Sequence, residues 1–141
     1  MDYLRSFAIS AAGMSVERAR VEVASLNLAN ANTIVHGGQG YQPLRALVLP
    51  ATHGAYSARF GELMGADASP QVRIEPTARA PRQVLEPGHP MADAAGFVSY
   101  PGVDTTTEMV SLMTALRAYE ANVVAMNAAR TVAVKALEIG A

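Results

Sequence analysis

Hydrophobic positions recur every three or four residues along the last third of the chain, from Thr105 to Ile139. This spacing predicts one long helix with the seam of a coiled coil. Thr105 and Glu108 have the spacing of a capping box, which predicts where the helix begins. The seam positions that we expect in an assembly interface are Met109, Leu112, Leu116, Tyr119, Val123, Met126, Ala133 and Leu137.

The other faces of this predicted helix carry very little charge. Between Met109 and Val134 the only charged residues are Arg117, Glu120 and Arg130. A helix that is small or apolar on nearly all sides is normally covered on nearly all sides. At 1.5 Å per residue it would extend for about 50 Å, too far for a chain of this size to wrap. We therefore expect neighbouring copies or partner chains to cover it, in preference to a monomeric bundle.

Residues 2–32 predict a second long helix, again with apolar residues three and four apart. Asn27, Asn30 and Asn32 lie near its end, where Asn suits helix termination. The same amides could equally fix the register between packed helices, and the sequence leaves both roles open. The positions expected in the interface are Leu4, Phe7, Ala11, Met14, Val16, Ala19, Val23, Leu26, Asn27 and Asn30.

The segment between the helices changes to turn residues and short alternating runs. Gly37, Gly38 and Gly40 predict a flexible turn, residues 51–70 a loop, and residues 86–93 a tight turn. The four predicted strands are residues 41–49, which Pro43 breaks early, 72–74, 82–85 and 97–100.

The predicted fold class is therefore mainly α with a small β-rich insert. Two long antiparallel terminal helices, coiled-coil-like in their spacing, flank a short β element. We divide the chain into an N-terminal axial helix, 1–33, a β-rich middle segment, 34–103, and a C-terminal axial helix, 104–141.

Composition argues against catalysis and against several kinds of partner. The formal net charge is −1 and the arginines are scattered, so the basic stripe of a nucleic-acid-binding protein is missing. The absence of cysteine excludes disulfides and thiolate metal sites. Glu86, His89 and Asp93 form one polar cluster, but Pro and Gly interleave it, which favours a structural turn. We expect no catalytic, cofactor-binding or metal site and no enzyme activity.

Membrane insertion and cleaved export signals are also disfavoured. No run approaches the ~18 apolar residues of a membrane span. Residues 6–16 are uncharged but contain three serines and a glycine, which makes them a poor signal-peptide core. We therefore expect any export to use a route other than a cleaved signal.

Three stretches together resemble bacterial flagellar rod and hook proteins. Residues 24–33 contain an Asn-Leu-Ala-Asn-x-x-Thr pattern, and residues 107–110 with 117–123 resemble the C-terminal helix of axial proteins. Residues 86–98 with 100–103 resemble a segment of the short proximal-rod type, the C type of basal-body rod protein. The resemblance covers roughly the first 45 and last 60 residues, and departs mildly from the usual pattern at Leu28, Glu86 and Gly102.

The resemblance implies a structural subunit of the proximal rod of the flagellar basal body, which transmits torque through helix packing in a helical assembly. It implies export through the flagellar type III apparatus without a cleaved signal peptide, and assembly in the periplasm. The implied partners are other copies, other rod proteins, and the proteins of the MS-ring and export-gate junction, without cofactors.

Two alternatives remain open at this point. A sibling rod protein or hook–basal adaptor would share the terminal helices but usually lacks the segment at 86–98. A self-contained secreted helical interaction protein would be a stable monomer on a sizing column.

Overall fold

The computed structural model describes residues 3–35, 40–49 and 70–139, with residues 3–5 and 139 in their backbone only. Gly37 and Gly38 of the predicted turn, and residues 51–69 of the predicted loop, lie outside the described residues. Within these residues two long helices flank four short strands, which confirms the predicted fold class. The elements are α1 (Tyr3–Asn30), β1 (Leu44–Leu49), β2 (Gln71–Pro76), β3 (Arg82–Leu85), β4 (Phe97–Tyr100) and α2 (Thr105–Ile139).

The strands form two separate two-stranded sheets, β1 with β2 and β3 with β4. The second pair is antiparallel, with Val84 opposite Val98 and Leu85 opposite Phe97. β3 and β4 have the predicted bounds. β1 begins three residues later than predicted because Pro43 has no N–H to pair; its carbonyl instead accepts the N–H of Thr77 at 2.6 Å.

The chain divides into two compact units. The first contains Met1–Ala19, Leu47–Arg73 and Thr114–Ala141, and the second contains Arg20–Ala46 and Ile74–Met113. The start of α1 thus shares a unit with the end of α2, and the end of α1 shares one with the start of α2. This pairing is the one expected of antiparallel helices. The division into three segments stays a prediction.

Most of the buried side chains that the structure describes belong to the second unit. They are Val23, Ala24, Asn27, Ala31, Pro43, Val98, Pro101 and Val103. In the described part of the first unit the buried residues are Ser10, Val16 and Ala115. The core therefore lies where the end of α1, the second sheet and the start of α2 share a unit.

In the first unit, α1 and α2 approach each other at Gly13. A Cβ added to Gly13 would lie 2.9 Å from both Nδ2 and Oδ1 of Asn122. The half-buried Asn122 side chain is held in place because its Nδ2 donates to the carbonyl of Ala118 at 2.9 Å. Glycine is required here for close approach, since any side chain would have to displace that amide.

Asp104 caps the N-terminus of α2. Its Oδ1 accepts the N–H groups of Thr106 at 3.1 Å and Thr107 at 3.5 Å, and its Oδ2 accepts the Thr107 hydroxyl at 2.6 Å. The capping box predicted from Thr105 and Glu108 is therefore wrong, because the carboxylate one residue earlier satisfies the free amides of the first turn. The Thr107 hydroxyl and then its backbone N–H hold the pKa of Asp104 below its ordinary value.

The Asp104 cap can be tested by substitution. In Asp104→Ala the amides of Thr106 and Thr107 lose their acceptor, so we expect them to exchange with solvent faster, as measured by amide hydrogen exchange with NMR detection. Because the folded pKa is lowered, the cap is present above the ordinary value of 3.8 and is lost as the pH falls through the folded pKa.

The matched control for the cap is Thr105→Ala, which should leave both amides nearly unchanged. If Thr105→Ala accelerates their exchange and Asp104→Ala does not, the capping box is the correct assignment after all.

The distribution of the core also makes a prediction about the isolated chain. A helix gains most of its stability from tertiary packing, and few described side chains of the first unit are buried. In dilute monomer we expect hydrogen exchange to be slow around Val23, Val98 and Val103 but fast in residues 3–19 and 114–139. Strong protection across residues 114–126 in a confirmed monomer would contradict this and support a self-contained bundle.

Candidate assembly interface

The outer surface of α2 is apolar over most of its length. Its exposed large hydrophobic residues are Met109, Val110, Met113, Leu116, Tyr119, Val124, Val132, Val134 and Leu137, from 38% exposed at Tyr119 to 75% at Leu137. Among the α2 side chains that the structure describes, only Ala115 is buried. Scattered surface hydrophobics are normal in a soluble protein, but a run along one helix marks an interaction surface.

The side of α2 that is covered within the chain coincides only partly with the predicted seam. Leu112, Val123, Met126 and Ala133 are half-buried, whereas Met109, Leu116, Tyr119 and Leu137 are exposed. In the first half of α2 the covered positions include Ala115 and Ala118, each one residue before a predicted seam residue. The covered side of α2 therefore combines small residues with some of the larger seam residues, and the other large seam residues are exposed.

The predicted interface positions of α1 are distributed differently. Val16, Val23 and Asn27 are buried, and Ala11 and Leu26 are exposed. The half-buried positions are Phe7, Met14, Ala19 and Asn30. The side chain of Leu4 lies outside the described residues. The assignment of all these positions to an assembly interface stays a prediction.

Asn27 bonds to the first strand. It is 1% exposed, and its Nδ2 donates to the carbonyl of Leu44 at 2.9 Å. Its Oδ1 accepts the N–H of Leu44 at 2.8 Å and the hydroxyl of Tyr41 at 2.7 Å. Burial, and then the negative charge of Glu108, raise the pKa of Tyr41 above its ordinary value.

Asn30 forms hydrogen bonds within the C-terminal end of α1 and with the residue three positions later. Its Nδ2 donates to the carbonyl of Leu26 at 2.9 Å, and its own carbonyl accepts both the N–H and the hydroxyl of Thr33. Of the two roles left open by the sequence, Asn30 thus has the helix-end role. Asn27 has a third role, contact with a strand 17 residues away, which no local pattern in the sequence signals.

The polar cluster of Glu86, His89 and Asp93 lies in and beside the turn between β3 and β4, and its side chains form hydrogen bonds that stabilise this turn. Oδ1 of Asp93 accepts the N–H groups of Ala95 and Phe97, both at 2.9 Å. Nδ1 of His89 accepts the N–H of Met91 at 3.1 Å. Oε2 of Glu86 accepts the Tyr100 hydroxyl at 3.2 Å. These contacts agree with the predicted structural turn.

The described residues were also searched for a metal site and for a membrane-spanning helix. No three His, Asp or Glu side chains gather there in an arrangement that would hold a metal ion. No helix of that part of the chain is both long and apolar enough to cross a membrane. The outstanding surface feature is therefore the apolar face of α2.

Comparison with known proteins shows which proteins this chain is similar to. The family model described as "Flagellar basal body rod FlgEFG protein C-terminal" matches residues 94–139, which include β4 and α2. The flagellar basal-body rod protein FlgC of Escherichia coli O157:H7 is 38% identical over 142 residues, with 99% of each chain covered.

Two further relatives come from other bacteria. The FlgC protein of Bacillus subtilis is 34% identical over 149 residues, with 99% of each chain covered. The FlgC protein of Aquifex aeolicus is 29% identical over 129 residues, covering 90% of this chain and 89% of the relative. Because these similarities run through both helices and the β region, the chain belongs to the FlgC family of flagellar basal-body rod proteins.

Proposed function

We propose that this rod protein transmits torque through apolar contacts between its helices and those of neighbouring subunits. As a FlgC family member it is a structural subunit of the proximal rod of the flagellar basal body, and not an enzyme. The observation that supports the mechanism is the apolar face of α2, whose large side chains are exposed in the part of the chain that the structure describes. Close-packed helix contacts repeated in every subunit make such an assembly stiff, because packed interiors resist compression.

The exposed apolar area of α2 is large enough to stabilise a permanent assembly if it is buried. Met109, Met113 and Val124 are each more than half exposed, and Leu116 is 44% exposed. Full burial of a side chain of this kind contributes about 1.5–3 kcal/mol, so covering the exposed part of each contributes on the order of 1 kcal/mol. The whole face therefore offers several kcal/mol per subunit, before the entropy of ordering is subtracted.

The partners we propose are other copies of this chain, other rod proteins, and the proteins at the junction of the MS ring and the export gate. A helical assembly requires two different surfaces on each subunit, since one self-complementary surface closes into a dimer. A second apolar surface lies on the β3–β4 hairpin, where Leu85 and Phe97 face each other and both are exposed. The hairpin is thus a suitable contact along the lattice.

We further propose that the chain is exported unfolded through the flagellar type III apparatus, without a cleaved signal, and assembles in the periplasm. The scarcity of buried side chains in the described part of the first unit supports export, because little packing must be lost to unfold it. The absence of cysteine is compatible with the oxidising periplasm.

A charge on the exposed face of α2 should block assembly and leave export intact. Because Leu116 is 44% exposed, we expect Leu116→Asp to be tolerated in the free subunit. In the rod the same carboxylate would be buried without a partner, at a cost of several kcal/mol. Swimming in soft agar and immunodetection of the exported protein are the two measurements.

The matched control for this prediction is Leu116→Met, which keeps volume and hydrophobicity and should swim normally. Val123→Asp, at a half-buried position of the same helix, should also block assembly. Normal swimming of Leu116→Asp would show that this face is not covered in the rod.

A further inference from the structure

Asn27 is the more deeply buried of the two polar residues found in the described core, and it is nearly inaccessible to solvent. All three hydrogen bonds of its side chain go to residues outside α1, namely Tyr41 and Leu44. Because it is 1% exposed, it has almost no surface left to offer a neighbouring subunit. Its role must be sought inside the chain.

The side-chain amide of Asn27 pairs with the peptide group of Leu44 as a neighbouring strand would. It gives the Leu44 N–H an acceptor and the Leu44 carbonyl a donor. Leu44 is the first residue of β1, so the contact lies where the chain enters the sheet. A carboxylate at this position lacks the donor, an aliphatic side chain lacks both groups, and Gln places them one methylene further out.

We propose that Asn27 is a positioning residue that joins the end of α1 to the start of β1, so that the helix end and this strand become ordered together. Tyr41 completes the junction by donating its hydroxyl to the same Oδ1 that accepts the Leu44 N–H. Asn27 and Leu44, 17 positions apart in the sequence, are thereby held together, which fixes where the chain leaves the helix.

Removal of the Asn27 side-chain amide should destabilise the start of β1, because its partners lie close to the core. The N–H and carbonyl of Leu44 would be left without these partners close to the core, and an unsatisfied buried polar group is strongly unfavourable. The β3–β4 sheet does not use Asn27, since its strands pair with each other. A local effect at β1 can therefore be separated from a general loss of stability.

The experiment compares amide exchange of the full isolated chain by NMR in wild type, Asn27→Leu and Asn30→Ala. Asn27→Leu keeps a buried side chain of similar size but removes all three hydrogen bonds. We expect at least tenfold faster exchange at the Leu44 amide, with the Val98 amide changed less than threefold. Asn30→Ala, which removes only a bond within the helix end, should leave the Leu44 amide unchanged.

A second variant separates positioning from simple packing. Tyr41→Phe alone should accelerate exchange at Leu44, but it should add nothing in the Asn27→Leu background, because the hydroxyl has already lost its acceptor. Equal acceleration at Leu44 and Val98 in Asn27→Leu, no acceleration at either, or additive effects of the two substitutions would each overturn the proposal. If Asn27→Leu does not fold, the exchange rates of the Leu44 and Val98 amides are compared in Tyr41→Phe alone. Faster exchange at Leu44 but not at Val98 supports the proposal, and equal acceleration at both or at neither overturns it.

Discussion

The constraint that shapes the described part of this protein is the small amount of side-chain burial along its two long helices. α1 and α2 have 28 and 35 residues, close to half of the 141 in the chain. The strands that the structure describes between them are four to six residues long and form two sheets of two strands each. Among the residues that the structure describes, the large apolar side chains of α2 are mostly exposed, and we propose that neighbouring chains cover them. Isolated helices depend on packing for stability, so under this proposal the order of α2 depends on its neighbours.

Where the chain does build a core, directional polar contacts support a small amount of apolar packing. Only 6% of the residues are aromatic, and most of the buried side chains are Val, Ala or Pro. Asn27 holds the entry to β1, Asp93 holds the turn after β3, and Asp104 holds the start of α2. Each such bond contributes modestly to net stability but fixes a direction. The polar contacts thus define how the short elements follow one another, and small apolar residues fill the space between them.

Periodicity and turn residues predicted most of the fold, but not the contacts that depend on distance in space. The bounds of α2, β3 and β4 follow from apolar spacing and from Pro and Gly between the elements. The predicted N-cap of α2 was wrong by one residue. Thr105 with Glu108 fits the capping-box pattern, and Asp104 is itself a favourable N-cap residue, so residue spacing alone does not decide between the two caps. The contact of Asn27 with Leu44 spans 17 residues and leaves no periodic signal. The predicted seam selects the larger apolar residues, whereas the covered side of α2 includes Ala115 and Ala118, which permit a closer approach.

That difference between the seam and the covered side explains how the subunit can be both foldable and ready to assemble. Within the first unit the helices meet at Gly13 and Asn122, and among the α2 side chains that the structure describes only Ala115 is buried. Burial of alanine and glycine removes little apolar area from water, so these contacts stabilise the single chain weakly. Met113, Leu116 and Val124 carry more apolar area and are exposed, and in the assembly that we propose neighbouring chains cover them. If these large side chains faced inward instead, the monomer would be more stable but would have lost the surface that we propose for assembly. Under that proposal, the weak packing of the free chain and the contacts of the assembly follow from the same arrangement of residues.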